Sequence, residues 1–109
     1  MSATQVGPIV ASAGLPGGIS AWLNVSAALV VKAAPGVLAL IIVNTVGSAG
    51  SLTVNDCTTT GAAAASNQIA SWPIADLAVG QCITLNWPCG TGITLSAMPT
   101  AGVVSISYS

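Results

Sequence analysis

The sequence predicts an all-β fold: an antiparallel β-sandwich or jelly roll of about 7–8 short strands with an extended N-terminal arm. Three observations carry this reading. Gly and Pro supply 12 and 6 of the 109 residues and cut the chain into short pieces. Within those pieces, apolar residues alternate with small polar ones at period two. Turn signals then recur at spacings of roughly 8–14 residues, as in all-β domains. Residues 1–18 read as the arm, since Gly7-Pro8, Gly14-Leu15-Pro16 and Gly17-Gly18 interrupt it and no period is sustained. Residues 19–109 read as one sandwich domain, a usual size for a single core.

The elements follow in order. Trp22, Asn24 and Ser26 alternate with Ala21, Leu23 and Val25, and Leu29-Val30-Val31 precedes Lys32, which fits two strands or one bent strand. Pro35-Gly36 is a turn signal. The run Val37-Leu38-Ala39-Leu40-Ile41-Ile42-Val43 is apolar at both parities and predicts a central strand covered on both faces. A helix is the competing reading, but the run is short and Ile-Ile-Val is poor helix material. Gly47-Ser48-Ala49-Gly50 leads into the alternating Leu52-Thr53-Val54-Asn55 and predicts a hairpin.

Thr58-Thr59-Thr60-Gly61 and Ala62 to Ala65 read as a loop with one helical turn. Ile69 to Ile74 reads as an edge strand, because Pro73 cannot donate to a ladder. Ile83, Leu85 and Trp87 alternate with Cys82, Thr84 and Asn86, which assigns Trp87 to the core. Beyond Pro88-Cys89-Gly90-Thr91-Gly92, Ile93 and Leu95 alternate with Thr94 and Ser96. In the last strand Val104, Ile106 and Tyr108 alternate with Ser105, Ser107 and Ser109.

Charge is the most restrictive part of the composition. Only Lys32, Asp56 and Asp76 are charged, 3% of the chain, and there is no histidine. Acid–base catalysis and metal binding have almost no groups to work with, so the chain is read as non-enzymatic, with no cofactor, catalytic residue or metal site. Two acids without an Asp-x-Asp loop make a poor calcium site. One cation cannot supply the phosphate contacts that nucleic-acid binding needs. The strongest apolar run is far short of a spanning helix, so no membrane insertion is expected. The first residues lack a basic region ahead of an apolar one, which predicts synthesis and retention in a cytoplasm. Cys57, Cys82 and Cys89 are an odd number with no C-x-x-C spacing, so they read as small hydrophobes, at least one of them an unpaired thiol. Asn24-Val25-Ser26 matches a glycosylation acceptor but has no secretory context.

Function therefore has to reside in surfaces. A domain with so few charges lacks the usual guard against edge-to-edge association. Its outward faces, read as Ser, Thr, Asn and Ala, are inexpensive to desolvate, which predicts permanent assembly as a symmetric homo-oligomer or on a larger particle. Trp22 and Trp72 are candidate interface anchors. Lys32 is a third, by pairing with Asp56 or Asp76 of a neighbour.

From Pro35-Gly36-Val37-Leu38 through Ile41-Ile42-Val43-Asn44-Thr45 and Gly47-Ser48-Ala49-Gly50-Ser51-Leu52-Thr53-Val54-Asn55-Asp56, the chain resembles small structural proteins of tailed-bacteriophage virions. Gly92-Ile93-Thr94-Leu95 and Val103-Val104-Ser105-Ile106-Ser107-Tyr108 are similar to the closing strands of the same group. The likeness covers roughly two-thirds of the chain. It rests on turn-and-strand patterns, and the cysteines and Asn86-Trp87-Pro88-Cys89 fall outside it. It implies a β-sandwich virion component. The first candidate is a capsid decoration (cement) protein on the outer face of the shell, with the major capsid protein and further copies of itself, such as a trimer, as partners. The alternative is a head-fibre or tail-fibre module that binds a host-surface receptor. The arm would then order on the shell or wrap a neighbouring subunit.

Overall fold

Period-two patterning places side chains on alternating faces but leaves pairing to longer-range packing, and here the pairing is nested. The computed structural model describes residues 18–109. The arm expected over residues 1–18 therefore lies, up to residue 17, outside the described residues. The eight strands are β1 (Ser20–Val25), β2 (Leu29–Lys32), β3 (Gly36–Thr45), β4 (Ser51–Asn55), β5 (Gln68–Pro73), β6 (Cys82–Cys89), β7 (Ile93–Ala97) and β8 (Val103–Tyr108). Antiparallel ladders join β1 to β8, β2 to β7, β3 to β6 and β4 to β5, as in a long hairpin rolled upon itself. The result is two four-stranded sheets, β1-β8-β3-β6 and β2-β7-β4-β5, which is jelly-roll topology. We call them the first and second sheets.

The core lies between the sheets. Leu38, Ile41 and Val43 of β3 face Leu52 and Val54 of β4, Ile93 and Leu95 of β7, and Val104 and Ile106 of β8, and all are buried. These are the apolar positions of the alternating segments, so inward packing follows from the pattern. The segment after Ile19 forms two strands, and they join different sheets. β5 is the expected edge strand and ends at Pro73. The loop after β4 contains two short 3-10 turns, Thr60–Ala62 and Ala65–Asn67.

Three expectations need correction. The Gly47–Gly50 connection does not make a hairpin, because β4 pairs with β5 and β7 while β3 stays in the first sheet. The connection crosses between sheets, with Gly47 at φ 94° beneath the Thr100 carbonyl and Ser48 N–H donating to that carbonyl at 2.9 Å. Trp87 is not a core residue but is 48% exposed. It sits on edge strand β6 just past Asn86, whose φ of 47° accompanies a one-residue slip in the β3–β6 register. β3 is central, between β8 and β6, but only one of its faces is covered by described residues: Ile42 is 40% exposed.

Candidate functional site

The few charged groups come first, because chemistry would start with them. Asp56 follows β4, and its carboxylate accepts three backbone N–H bonds, from Gly90 at 2.9 Å, Thr91 at 2.8 Å and Gly92 at 3.1 Å. Partial desolvation pushes its pKa up, but the three donors outweigh it and hold the group below the ordinary 3.8. The carboxylate thus fastens the β6–β7 turn to the end of β4, and both oxygens are engaged within the chain. Asp76 is exposed in the 3-10 turn Ile74–Asp76, and Lys32 is half-buried at the end of β2.

Cys57 and Cys89 are buried thiols and Cys82 is an exposed one. Burial, then the negative charge of Asp56, raises the Cys89 pKa to about 11, which makes it a poor nucleophile. Among the described residues no three His, Cys, Asp or Glu side chains gather where they could hold a metal ion.

Over the ends of β4 and β7 the outer face of the second sheet is covered by the chain itself, whereas Ser71 on β5 stays exposed. Thr94 and Asn55, read from the sequence as outward and solvated, are 0% and 2% exposed. Thr94 Oγ1 donates to the Cys57 carbonyl at 2.8 Å. Asn55 Nδ2 donates to the Ala64 carbonyl and to Asn67 Oδ1, while Asn55 Oδ1 accepts from Ser96 Oγ at 2.6 Å. These bonds fasten the 56–67 loop over β4 and β7. The expectation of a small-polar surface fails here because the loop uses those polar groups as its anchor.

The first sheet has no such cover among the described residues. Across its outer face, Ile42 lies opposite Ser105 on one side and Cys82 on the other, and Leu40 lies opposite Ser107 and Thr84. Ala21 pairs with Ser107. β8 therefore contributes small serines between an apolar ridge on β1 (Ala21, Leu23) and another on β3 (Leu40, Ile42). The difference in side-chain height makes a groove of about 180 Å³. Leu23 is 73% exposed on its wall. The Ser107 hydroxyl at its floor is out of reach of water and makes no hydrogen bond. At one end, Asn44 Nδ2 donates to Asn24 Oδ1 and Ser105 Oγ, and the Asn24 N–H donates to Ser105 Oγ.

Of the sequence-predicted interface residues, Trp22 is brought to β2 beside Lys32, and Trp72 is not. Trp22 lies on β1, 41% exposed, with its indole N–H donating to the Val31 carbonyl at 3.1 Å, so it bridges the two sheets along one open side. Trp72 lies on β5, half-buried against the core and opposite buried Leu52. β5 and β2 are opposite edges of the second sheet, so Trp72 is remote in the sheet order from Lys32. Sequence reasoning missed Leu23, Leu40, Ile42 and Cys82 as surface residues. The signal was present in the two-sided apolarity of Val37 to Val43, which was read as a strand already covered on both faces.

No protein-family model matches the chain, and searches of curated proteins and of solved structures returned no match.

Proposed function

We propose that this chain is a non-enzymatic virion structural protein, a capsid decoration protein that binds the outer face of a phage shell and stabilises it. The observation that carries the reading is the outer face of the first sheet. It carries no charge and an apolar groove between Leu23 on β1 and Leu40 and Ile42 on β3, while the three charged residues lie at the end of β2, after β4 and in the 3-10 turn after β5. Such a face gains free energy by being covered and offers no group that would do chemistry. Two further points support it: the resemblance of Pro35 to Ser109 to phage virion proteins, and jelly-roll topology, which recurs in viral capsid domains as well as in lectins. Fold likeness alone is an analogy and is used only as that.

The mechanism is linkage. A protein that binds the assembled shell and not the free capsid subunits stabilises the shell by about 2.7 kcal/mol when its free concentration is 100 times its dissociation constant. Quantitative mass spectrometry of purified particles tests the reading through the copy number relative to the major capsid protein. Comparable numbers are expected. A few copies per particle would replace decoration with a fibre component, and absence from the particle would overturn both.

A further inference from the structure

We infer that two asparagines in left-handed backbone conformation, Asn24 on β1 and Asn86 on β6, guard the open edges of the first sheet against strand addition by another chain. An edge strand offers unpaired N–H and C=O groups to any extended neighbour, and charged side chains are a common deterrent. This chain has three charged residues in all. Its edge strands are β1 and β6 in the first sheet and β2 and β5 in the second. β2 is four residues long and ends in Lys32, and its Val31 carbonyl already accepts the Trp22 indole N–H. β5 ends in Pro73, and Ile69 is an extra residue opposite the Val54–Asn55 step. Short length, lysine, proline and a bulge protect those two edges. β1 and β6 are six and eight residues long and carry no charge.

Their protection is in the backbone. Among the described residues, the non-glycine residues with positive φ are Asn24 at 53°, Asn86 at 47° and Ala101 at 62°. Ala101 lies in the turn before β8, whereas the two asparagines stand one on each edge of the first sheet. Each marks a bulge. On β6, Leu85 and Asn86 together face Ala39, between Trp87 opposite Leu38 and Thr84 opposite Leu40. On β1, Leu23 and Asn24 together face Ser105, between Trp22 opposite Ile106 and Val25 opposite Val104. An extra residue bends the strand and sharpens its twist, so a straight incoming strand loses register with the edge at that point. Asparagine suits the position because it tolerates the left-handed region better than other residues with a Cβ. The β1 bulge is also tied inward: the Asn24 N–H donates to Ser105 Oγ at 3.1 Å, and Asn44 Nδ2 donates to Asn24 Oδ1 at 3.2 Å.

The register makes deletion the test. Without Asn86, Leu85 alone faces Ala39, and Trp87 and Thr84 keep their partners. Without Asn24, Leu23 alone faces Ser105, and Trp22 and Val25 keep theirs. Each deletion straightens one edge and leaves the inward and outward faces unchanged. Sedimentation velocity and thioflavin T fluorescence of the full chain, up to about millimolar concentration, read the consequence, with circular dichroism to establish folding. Both deletions are expected to associate, with dye fluorescence at least about tenfold above wild type. Asn86→Gly keeps the left-handed conformation and is expected to behave as wild type. Thr84→Lys, at an exposed position on β6, is expected to suppress the association when combined with the Asn86 deletion. Aggregation of an unfolded chain would not yield to that one charge.

Deletion variants that fold and keep the wild-type mass overturn the inference. So does association that Thr84→Lys leaves unchanged, which places the contact away from the β6 edge. Association of Asn86→Gly to the extent of the deletion assigns the protection to the asparagine side chain and overturns the role of the bulge. Should the deletions fail to fold, Asn86→Val, whose branched side chain opposes a positive φ, carries the same expectation and the same refutation. The guard concerns edges and not the outer face, so its failure and that of the decoration reading are separate results.

Discussion

Replacing Asp56 with Ala removes one acceptor group from three donors, and the structure says which of the three will suffer. Gly90 and Thr91 are exposed, so water replaces the carboxylate at their N–H groups and each loses only a net contribution of about 0.5–1 kcal/mol. Gly92 is buried against Cys57, and water cannot reach its N–H so easily, which leaves a desolvated donor at about 1–3 kcal/mol. Together the loss is about 2–5 kcal/mol, or roughly 10–20 °C in Tm for a domain of this size. Urea unfolding followed by tryptophan fluorescence measures it directly. The isosteric Asp56→Asn keeps one carbonyl oxygen and is expected to fall between wild type and Asp56→Ala.

The dependence on pH has a definite sign. The folded-state pKa of Asp56 lies below its unfolded value, so the stabilisation is fully present above about pH 4 and is lost as pH falls through the folded pKa. The advantage of wild type over Asp56→Asn is therefore expected to be constant near neutrality and to shrink under acid. Asp76→Ala, at an exposed site, serves as the control and is expected within about 0.5 kcal/mol of wild type. If Asp56→Ala matches that control, the carboxylate does not hold the β6–β7 turn and the reasoning is refuted.

Three further outcomes follow from the packing. Asn55→Ala takes the donor from the Ala64 carbonyl and Asn67 Oδ1 and unfastens the 56–67 loop, while the Ser96 hydroxyl keeps the Thr53 carbonyl at 3.3 Å, at an expected cost of about 1–3 kcal/mol; hydrogen exchange should show faster exchange in that loop before the strands are affected. Gly92→Ala would place a Cβ 2.5 Å from the Cys57 carbonyl oxygen, a backbone atom that cannot step aside, so about 1–3 kcal/mol of destabilisation is expected in denaturant titration. Ile41→Ala, at a fully buried position in the middle of β3, is expected to lose about 2–5 kcal/mol, and a smaller loss would mean that the core collapses around the cavity.

The core was largely legible because its residues alternate in runs bounded by turns, as Val104 and Ile106 do on β8 and Ile93 and Leu95 on β7. Pairing was not. β1 meets β8 from the opposite end of the chain, and nothing local in Ser20 to Val25 names that partner. The same blindness produced the expected β3–β4 hairpin, since a Gly-rich connector between two strands looks alike whether it turns within a sheet or crosses between sheets. Trp87 keeps the core-facing parity, since it pairs with fully buried Leu38, but β6 is an edge strand and the ring is left open to solvent there; a linear reading gives parity and not position in the sheet. The role of Asp56 needs two segments more than 30 residues apart in sequence to meet, which a linear reading cannot supply.

The misreading of the polar residues bears most on function. Small hydroxyl and amide side chains at alternate strand positions were taken as the outer surface, the part left for water or a partner. In the second sheet they point outward but are spent within the chain, since Asn55 and Thr94 fasten a loop that shields them. In the first sheet the outward residues include Leu23, Leu40 and Ile42, apolar side chains that gain nothing from water. The two sides of the sandwich are thus unequal in kind. One carries its own cover together with Lys32, Asp56 and Asp76. The other carries serines low in a groove and leucine and isoleucine high on its walls. Charge and cover coincide on one side, and exposed apolar area collects on the other. A change of Leu23 or Ile42 should therefore alter association and leave folding intact, whereas a change of Asn55 or Asp56 should do the reverse.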